Sequence, residues 1–355
     1  MDPATLVPGV DAIPVNWLWF QVLLVLSTFM HLVAVDIMIG SGVIAFAAPI
    51  LKGESMVPMS REIAGTLPYS IAFTINFGVA PLLFLQVLYG QFFYTSSVLM
   101  AVFWLSIVFL LIVSYYSVYL FNMRYSRVGH NSLLLGLSVL LLLLVAFVLS
   151  NNISLMQTPE SWLRYFDNRG GTMLSTGDIV LLPRFVHFMT SSIAVGGLMI
   201  AVYYEFRRRR GAKDVDRWIS YGTKWFTVGS IINFGVGFWF FSRLYGNVID
   251  PAEPSGKLFL LFIIGAMAAI MIALISAQVK KIYRSLSWTL ATILLMVMAR
   301  ETLRNTYLRD YINLSELPVT GQYSPLVIFL VFFVAAVWLL WWMLKRVFVE
   351  TEVKS

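Results

Sequence analysis

The chain has 355 residues, of which 59% are hydrophobic and 12% are charged, and its formal net charge is +7. Soluble domains average about 25% charged residues, so this composition excludes a soluble globular protein. The absence of cysteine excludes disulfides, thiolate catalysis, iron–sulfur clusters and covalently attached c-type heme in this chain. We attribute the positive charge to membrane topology and expect no nucleic acid partner.

Apolar stretches long enough to cross a bilayer recur along the whole chain. They predict nine transmembrane helices, roughly at residues 17–50, 66–97, 99–122, 132–150, 182–206, 219–242, 257–279, 285–302 and 324–345. The longest polar connections are expected near residues 151–180 and 303–323. The sequence therefore predicts an all-α polytopic membrane protein, with residues 1–355 as a single membrane domain in contact with lipid.

Basic residues follow the odd-numbered spans, and the densest cluster is Arg207–Arg210 after the fifth. Positive residues concentrate on the cytoplasmic side of membrane proteins. We therefore expect the N-terminus outside and the C-terminus in the cytoplasm. The run Arg207–Arg210 is interpreted first as a topological anchor and only second as a binding patch.

Two of the three histidines lie inside predicted spans and share a local pattern. His31 lies in "FMHLVAVDIMIG" and His187 in "FVHFMTSSIAVG", which both have the form F-x-H-x8-G. The pentapeptide "INFGV" also occurs twice, with its asparagine at Asn76 and at Asn233. Histidine and asparagine are therefore separated by 45 residues in the first copy and 46 in the second. Two motifs that recur at nearly equal separation indicate an internal repeat.

The repeat predicts two parallel four-helix bundles and one peripheral helix. The first bundle comprises residues 15–150, the second residues 181–302, and the peripheral helix residues 324–347. Both histidines then lie near the outer ends of their helices. The third histidine, His130, lies in a predicted inner loop and is expected to be a solvated residue.

An imidazole inside a membrane requires a partner or a function. Three interpretations of His31 and His187 stay open: a hydrogen bond to a helix carbonyl or hydroxyl, a proton relay, or axial ligation of heme iron. Small residues beside them leave room for a flat macrocycle: Gly40, Gly42, Ser191, Ser192, Gly196 and Gly197. Arginines near the same predicted surface suit heme propionates or a quinol site: Arg184, Arg300 and Arg304.

Several segments resemble, in order, those of subunit I of the cytochrome bd quinol oxidases. They are "WFQVLLVLSTFMH", "INFGVAPLLFLQVLYGQF", "NNISLMQTPESW", "RFVHFMTSS" and "RETLRN". The first and fourth resemble the segments whose histidines bind heme in that family, and the last resembles the segment with the heme-ligating glutamate and its arginine. The resemblance therefore implies His31, His187 and Glu301 as heme-binding residues, with Arg304 beside them, and heme b in two or more copies as the cofactor.

The chain also departs from the family pattern. The quinol-binding loop is reduced to "RLYGNVIDPAEPSGK", the third span contains no acidic residue, and the methionine expected at the start of the seventh span is missing. Met298 and Met156 are candidates to replace it as the second axial ligand. Asp36 has no counterpart in the family, and it is expected either to move protons or to pair with an arginine.

The resemblance, together with the absence of acidic residues from the third span, favours a heme b-containing electron-transfer subunit of a respiratory complex in a bacterial or archaeal cytoplasmic membrane. It would oxidise quinol near the outer face and pass electrons to a redox partner, such as a periplasmic c-type cytochrome, alongside other subunits. A divergent bd-type quinol:oxygen oxidoreductase is the first alternative. A proton-coupled transporter and a structural membrane anchor are the others.

Overall fold

The computed structural model describes residues 6–128 and 132–353, and this part of the chain forms nine long helices and no strand. The helices are α1 (Trp17–Lys52), α2 (Val57–Leu99), α3 (Ala101–Val128), α4 (Ser132–Gln157), α5 (Leu181–Arg209), α6 (Asp216–Leu244), α7 (Pro254–Gln278), α8 (Ile282–Leu308) and α9 (Ser324–Val353). All nine are long and apolar enough to cross a membrane. The prediction of an all-α polytopic membrane protein is confirmed, and His130 lies outside the described residues.

Several helices extend well beyond the apolar spans that predicted them. Helix α2 begins at Val57, α4 continues to Gln157, and α8 continues to Leu308. The polar segments "NNISLMQ" and "ETLRNTYL" therefore complete helices, although the sequence suggested that they open loops. As a result, Glu301 lies two helical turns inside the end of α8, deeper than its predicted place at a span terminus.

Consecutive helices pack as antiparallel pairs: α1 with α2, α3 with α4, α5 with α6, and α7 with α8. Helix α1 also packs along α5, so the two predicted repeats meet at the centre of the molecule. Helix α9 lies at the edge, where Phe329 contacts Phe84 of α2 with ring centroids 6.0 Å apart. Most of its described side chains are exposed, as expected of a peripheral helix that faces lipid.

The two copies of the F-x-H-x8-G motif meet each other where α1 packs on α5. The motif glycines Gly40 and Gly196 are in backbone contact, because a methyl group on either would collide with the other helix. Asp36 and Ser192 each lie five residues after the motif histidine, and the Ser192 hydroxyl donates to Asp36 Oδ1 at 2.6 Å. Equivalent positions of the two copies therefore contact each other between two parallel helices.

The two "INFGV" copies pack differently. Asn76 is exposed and donates to the Ala72 carbonyl of its own helix at 2.9 Å, whereas Asn233 is half-buried and accepts from the Thr190 hydroxyl at 2.5 Å. Gly78 of the first copy lies against His31, but its sequence counterpart Gly235 faces open space. The packing around the histidine-bearing helices α1 and α5 is therefore similar in the two copies of the repeat, whereas the packing around their partner helices α2 and α6 differs.

We expect Gly196→Val to destabilise the protein by about 3 kcal/mol, because overpacking a filled contact costs typically 1–3 kcal/mol and sometimes more. The added carbons would meet the α1 backbone, which has no flexible end that could move aside. Gly235→Val is the matched control, since nothing lies within 4 Å of a Cβ at that helical position. Unfolding in detergent measures both variants, and equal stability would contradict the proposed contact.

Candidate functional site

His31 lies on α1 with its ring against α2. A Cβ at Gly78 would lie 2.9 Å from His31 Cε1, so only glycine allows the ring to lie this close. Nδ1 of the ring lies 3.1 Å from the Thr74 carbonyl oxygen. A carbonyl only accepts hydrogen bonds, so the neutral ring carries its proton on Nδ1. Nε2 is then the unprotonated nitrogen, and no described residue forms a hydrogen bond with it.

This arrangement is the one that metal-binding histidines use. Their second ring nitrogen commonly donates to a backbone carbonyl, which fixes the tautomer and directs the lone pair of the first nitrogen at the metal. The bond to Thr74 also agrees with the simplest sequence interpretation, a histidine satisfied by a helix carbonyl. That interpretation explains Nδ1 but leaves Nε2 of His31 without a role.

His187 lies on α5 with its ring against α6. A Cβ at Gly237 would lie 3.2 Å from His187 Cε1, so a glycine again lies under the imidazole. The rings of Phe188 and Phe240 have centroids 6.1 and 5.7 Å from the His187 ring. Nδ1 is buried and forms no hydrogen bond of standard geometry, although the Asn233 side chain of α6 lies within reach of the ring. A buried polar atom without a partner is costly, so a bound group at this nitrogen would satisfy it.

Glu301 and Arg304 form a buried ion pair on α8. They lie three residues apart, their exposed fractions are 4% and 2%, and Arg304 Nη1 contacts Glu301 Oε2. Gln21 of α1 donates to the same oxygen at 3.3 Å. The other oxygen, Oε1, is buried and has no partner among the described residues. The pair is therefore buried inside the bundle, and one carboxylate oxygen is available.

Tyr89 of α2 joins this cluster, and sequence reasoning missed it, as it missed Gln21. Its ring lies under the Arg304 guanidinium at 5.3 Å, and its hydroxyl donates to Asn305 Oδ1 at 2.5 Å. The backbone of Tyr89 is non-helical (φ −133°, ψ 29°), so α2 is kinked beside the ion pair. Gln21 and Tyr89 come from two other helices, and no spacing in the sequence connects them to Glu301.

Arg184 of α5 is buried and engaged by polar groups around the end of α4. It donates to Gln157 Oε1 at 2.8 Å and to the Ser154 hydroxyl, and it lies 4.0 Å from Asp178 Oδ2. Ser154 also donates to Asp178 at 2.6 Å. These contacts give Arg184 a clear structural role in joining α5 to α4.

Arg300 differs from the other two predicted arginines. It is half-buried on α8, and no described residue forms a hydrogen bond or ion pair with it. It lies within electrostatic range of Arg184, Arg304 and Glu301, and also of His31. Three guanidinium groups thus share two carboxylates, Glu301 and Asp178, in a region of low polarity. The excess positive charge favours an anionic group beside Arg300.

The two methionines predicted as second axial ligands lie in different surroundings. Met156 is fully buried in an apolar cluster with Phe92 and Trp162, apart from the residues around His187. Met298 is half-buried on α8, one turn before Glu301. Both stay predictions as second axial ligands.

Asp36 is buried in the contact between α1 and α5, where it accepts from Ser192. The described residues include no arginine paired with it, so the expectation of an arginine partner is wrong for this part of the chain. A proton-linked role for Asp36 stays a prediction.

The expected slot for a macrocycle along the small residues of α1 and α5 is wrong. Gly40 and Gly196 bring α1 and α5 into contact, and Gly197 is in close contact with Gly222 and Phe226 of α6. These glycines allow close helix packing, so this face of α1 and α5 leaves no room for a macrocycle.

Among the described residues, no three His, Asp or Glu side chains cluster as a metal-ion site. Isolated histidines suit a cofactor that brings the other metal ligands with it, as a porphyrin does. No protein-family model and no curated protein matches this chain. Any function proposed for this chain therefore depends on the geometry of the histidines and the buried charges, together with the motifs quoted from its sequence.

Proposed function

We propose that this chain is a heme b-containing electron-transfer subunit of a respiratory membrane complex, related to subunit I of the cytochrome bd quinol oxidases. The observation that carries the proposal is the orientation of His31. Its Nδ1 donates to the Thr74 carbonyl, and its Nε2 carries a free lone pair between membrane helices. Bound heme b would supply a one-electron carrier between a quinol and a redox partner.

The residues present fit such a group in three respects. His31 Nε2 and His187 Nδ1 form no hydrogen bond of standard geometry with the protein and lie on separate helix pairs, so each histidine would hold one heme. Arg300 forms no ion pair or hydrogen bond with a described residue and would pair with a propionate. Glu301 Oε1 is a buried acceptor without a partner, available to an iron or to a donor group.

The same cluster suits quinol oxidation. A quinol loses two protons as it is oxidised, and the Glu301 carboxylate, with one oxygen held by Arg304 and Gln21, offers its other oxygen to a hydroxyl proton. Asp36 lies five residues beyond His31 on α1 and is the second carboxyl group that we propose to be proton-linked. With the N-terminus outside, the Glu301 cluster faces the outer leaflet, where a periplasmic c-type cytochrome would accept electrons.

A divergent quinol:oxygen oxidoreductase is the second candidate, and the free oxygen of Glu301 favours it. Oxygen reduction also requires proton delivery, and α3 contains no acidic residue. Two of its serine hydroxyls are already engaged: Ser114 bonds Ser138 at 2.8 Å, and Ser117 donates to the Val113 carbonyl at 2.7 Å. Electron delivery to a partner is therefore the preferred function.

We expect the purified chain to accept electrons from a quinol but to consume oxygen slowly without a partner. The measurement combines heme reduction by a quinol, followed by its α-band, with oxygen uptake in the same preparation. Fast quinol-dependent oxygen uptake by the isolated chain would favour the oxidase. If none of the quinols tested reduces the heme of a heme-loaded chain, quinol oxidation is contradicted altogether.

A further inference from the structure

An open groove of ≈550 Å³ lies at the C-terminal end of α5, remote in the chain from the Glu301 cluster. It is lined by Tyr203, Phe206, Arg207, Arg210, Gly211 and Ala212. Helix α5 is apolar up to this turn and then continues into four arginines, so the groove lies at the level where the apolar span ends. By the predicted orientation, this is the cytoplasmic headgroup level.

The four arginines are not equivalent. Arg208 and Arg209 bind the buried carboxylate of Glu205 at 2.7 and 3.2 Å, and Arg208 also binds Asp216 at 3.1 Å. Only Arg207 and Arg210 line the groove. Arg207 lies in the last turn of α5 and Arg210 directly follows its end, so both guanidinium groups can reach one ligand in the groove.

Glu62 of α2 fixes the Arg207 side of the groove. Its carboxylate binds Arg207 and accepts from the hydroxyls of Tyr203 and Tyr204 at 2.9 and 2.8 Å. Three side chains therefore share one acid, and Arg207 is held against the wall of the groove. A preorganised cation binds an anion at lower entropic cost than a free side chain.

Aromatic rings form the apolar part of the groove. The Arg210 guanidinium lies over the Phe206 ring at 4.3 Å, and Phe206 is 41% exposed. The groove thus joins two arginines to the aromatic rings of Tyr203 and Phe206. An amphiphile with an acidic headgroup and an acyl chain would contact both the arginines and the aromatic rings. A free phosphate would contact only the arginines.

We propose that this groove binds the headgroup of an anionic phospholipid, with its phosphate against Arg207 and Arg210 and the start of its acyl chain against Phe206. The site is independent of heme and of the proposed electron transfer. Clusters of arginine on the cytoplasmic side attract anionic lipids, at about a fivefold gain in affinity for each basic residue near the surface.

The test measures lipid binding to the purified full-length chain by native mass spectrometry, with phosphatidylglycerol and phosphatidylcholine as probes. We expect retention of phosphatidylglycerol over phosphatidylcholine, weakened roughly fivefold by Arg210→Gln. Phe206→Ala should weaken binding without any change of charge. Lys281→Gln is the control, because it removes one positive charge at the same end of the bundle, outside the groove.

Equal retention of the two lipids, or equal losses in Arg210→Gln and Lys281→Gln, would overturn the proposal. Displacement of phosphatidylglycerol by millimolar inorganic phosphate would also overturn it, because the groove would then recognise phosphate alone. Phe206→Ala leaves every arginine in place, so an effect of this variant supports the lipid even where Arg210→Gln folds poorly.

Discussion

His31→Ala and His187→Ala should each remove one heme, and not the same one. The His31 ring lies against Gly78 and Thr74 of α2, whereas the His187 ring lies against Gly237 of α6. Two histidines on different helix pairs present their free nitrogens in different parts of the bundle. Heme quantitation and reduced-minus-oxidised spectra of both variants measure the effect, and we expect each variant to lose a different spectral component.

His130→Ala is the control for this prediction, since His130 belongs to a predicted inner loop and lies outside the described residues. It should leave heme content and spectrum unchanged. If His31→Ala and His187→Ala instead erase one identical component, a single heme held by both histidines is the better explanation. Each copy of the repeat would then contribute one histidine to a single binding site.

Glu301→Gln should alter the absorption of one heme, shift its midpoint potential and slow quinol-linked turnover, while the signal of the heme that we propose on His187 persists. The amide keeps the size of the side chain but removes the charge beside Arg304 and changes the atom at the free Oε1 position. Breaking a buried ion pair also costs about 3–5 kcal/mol of stability. Stability alone therefore does not separate a heme role from a structural role, and the spectrum and potential are the decisive measurements.

Glu253→Gln is the matched control. Glu253 also pairs with an arginine, Arg309, but both side chains are substantially exposed. Exposed pairs contribute roughly 0–1 kcal/mol, so this variant should change neither stability nor spectrum noticeably. An unchanged spectrum and potential in folded Glu301→Gln would assign Glu301 to helix packing and remove it from the heme site.

The spans could be predicted because their cause is local. A stretch of about 20 apolar residues meets the length requirement of a bilayer wherever it occurs. The ends of α4 and α8 could not be placed in the same way, since "NNISLMQ" and "ETLRNTYL" are polar and become helical by packing against neighbours. Because α8 continues through the polar segment, Glu301 and Arg304 lie inside the bundle and their ion pair is buried.

The candidate site was only partly predictable for a related reason. His31, His187, Glu301 and the three arginines stand out because charged and imidazole groups are rare inside spans. Gln21 and Tyr89 do not stand out, because their roles depend on the rotation of α1 and α2 against α8. The same limit applies to Gly40 and Gly196: the repeat identified them, but only the packing of α1 on α5 shows that they contact each other.

The most direct test of the account is the heme content of the purified full-length chain, from a pyridine hemochrome assay and a reduced-minus-oxidised visible spectrum. We expect a b-type α-band and two or more hemes b per chain, with the band abolished in the double variant His31→Ala, His187→Ala. A folded wild-type chain without an α-band, or a double variant that retains the full heme complement, would contradict the account.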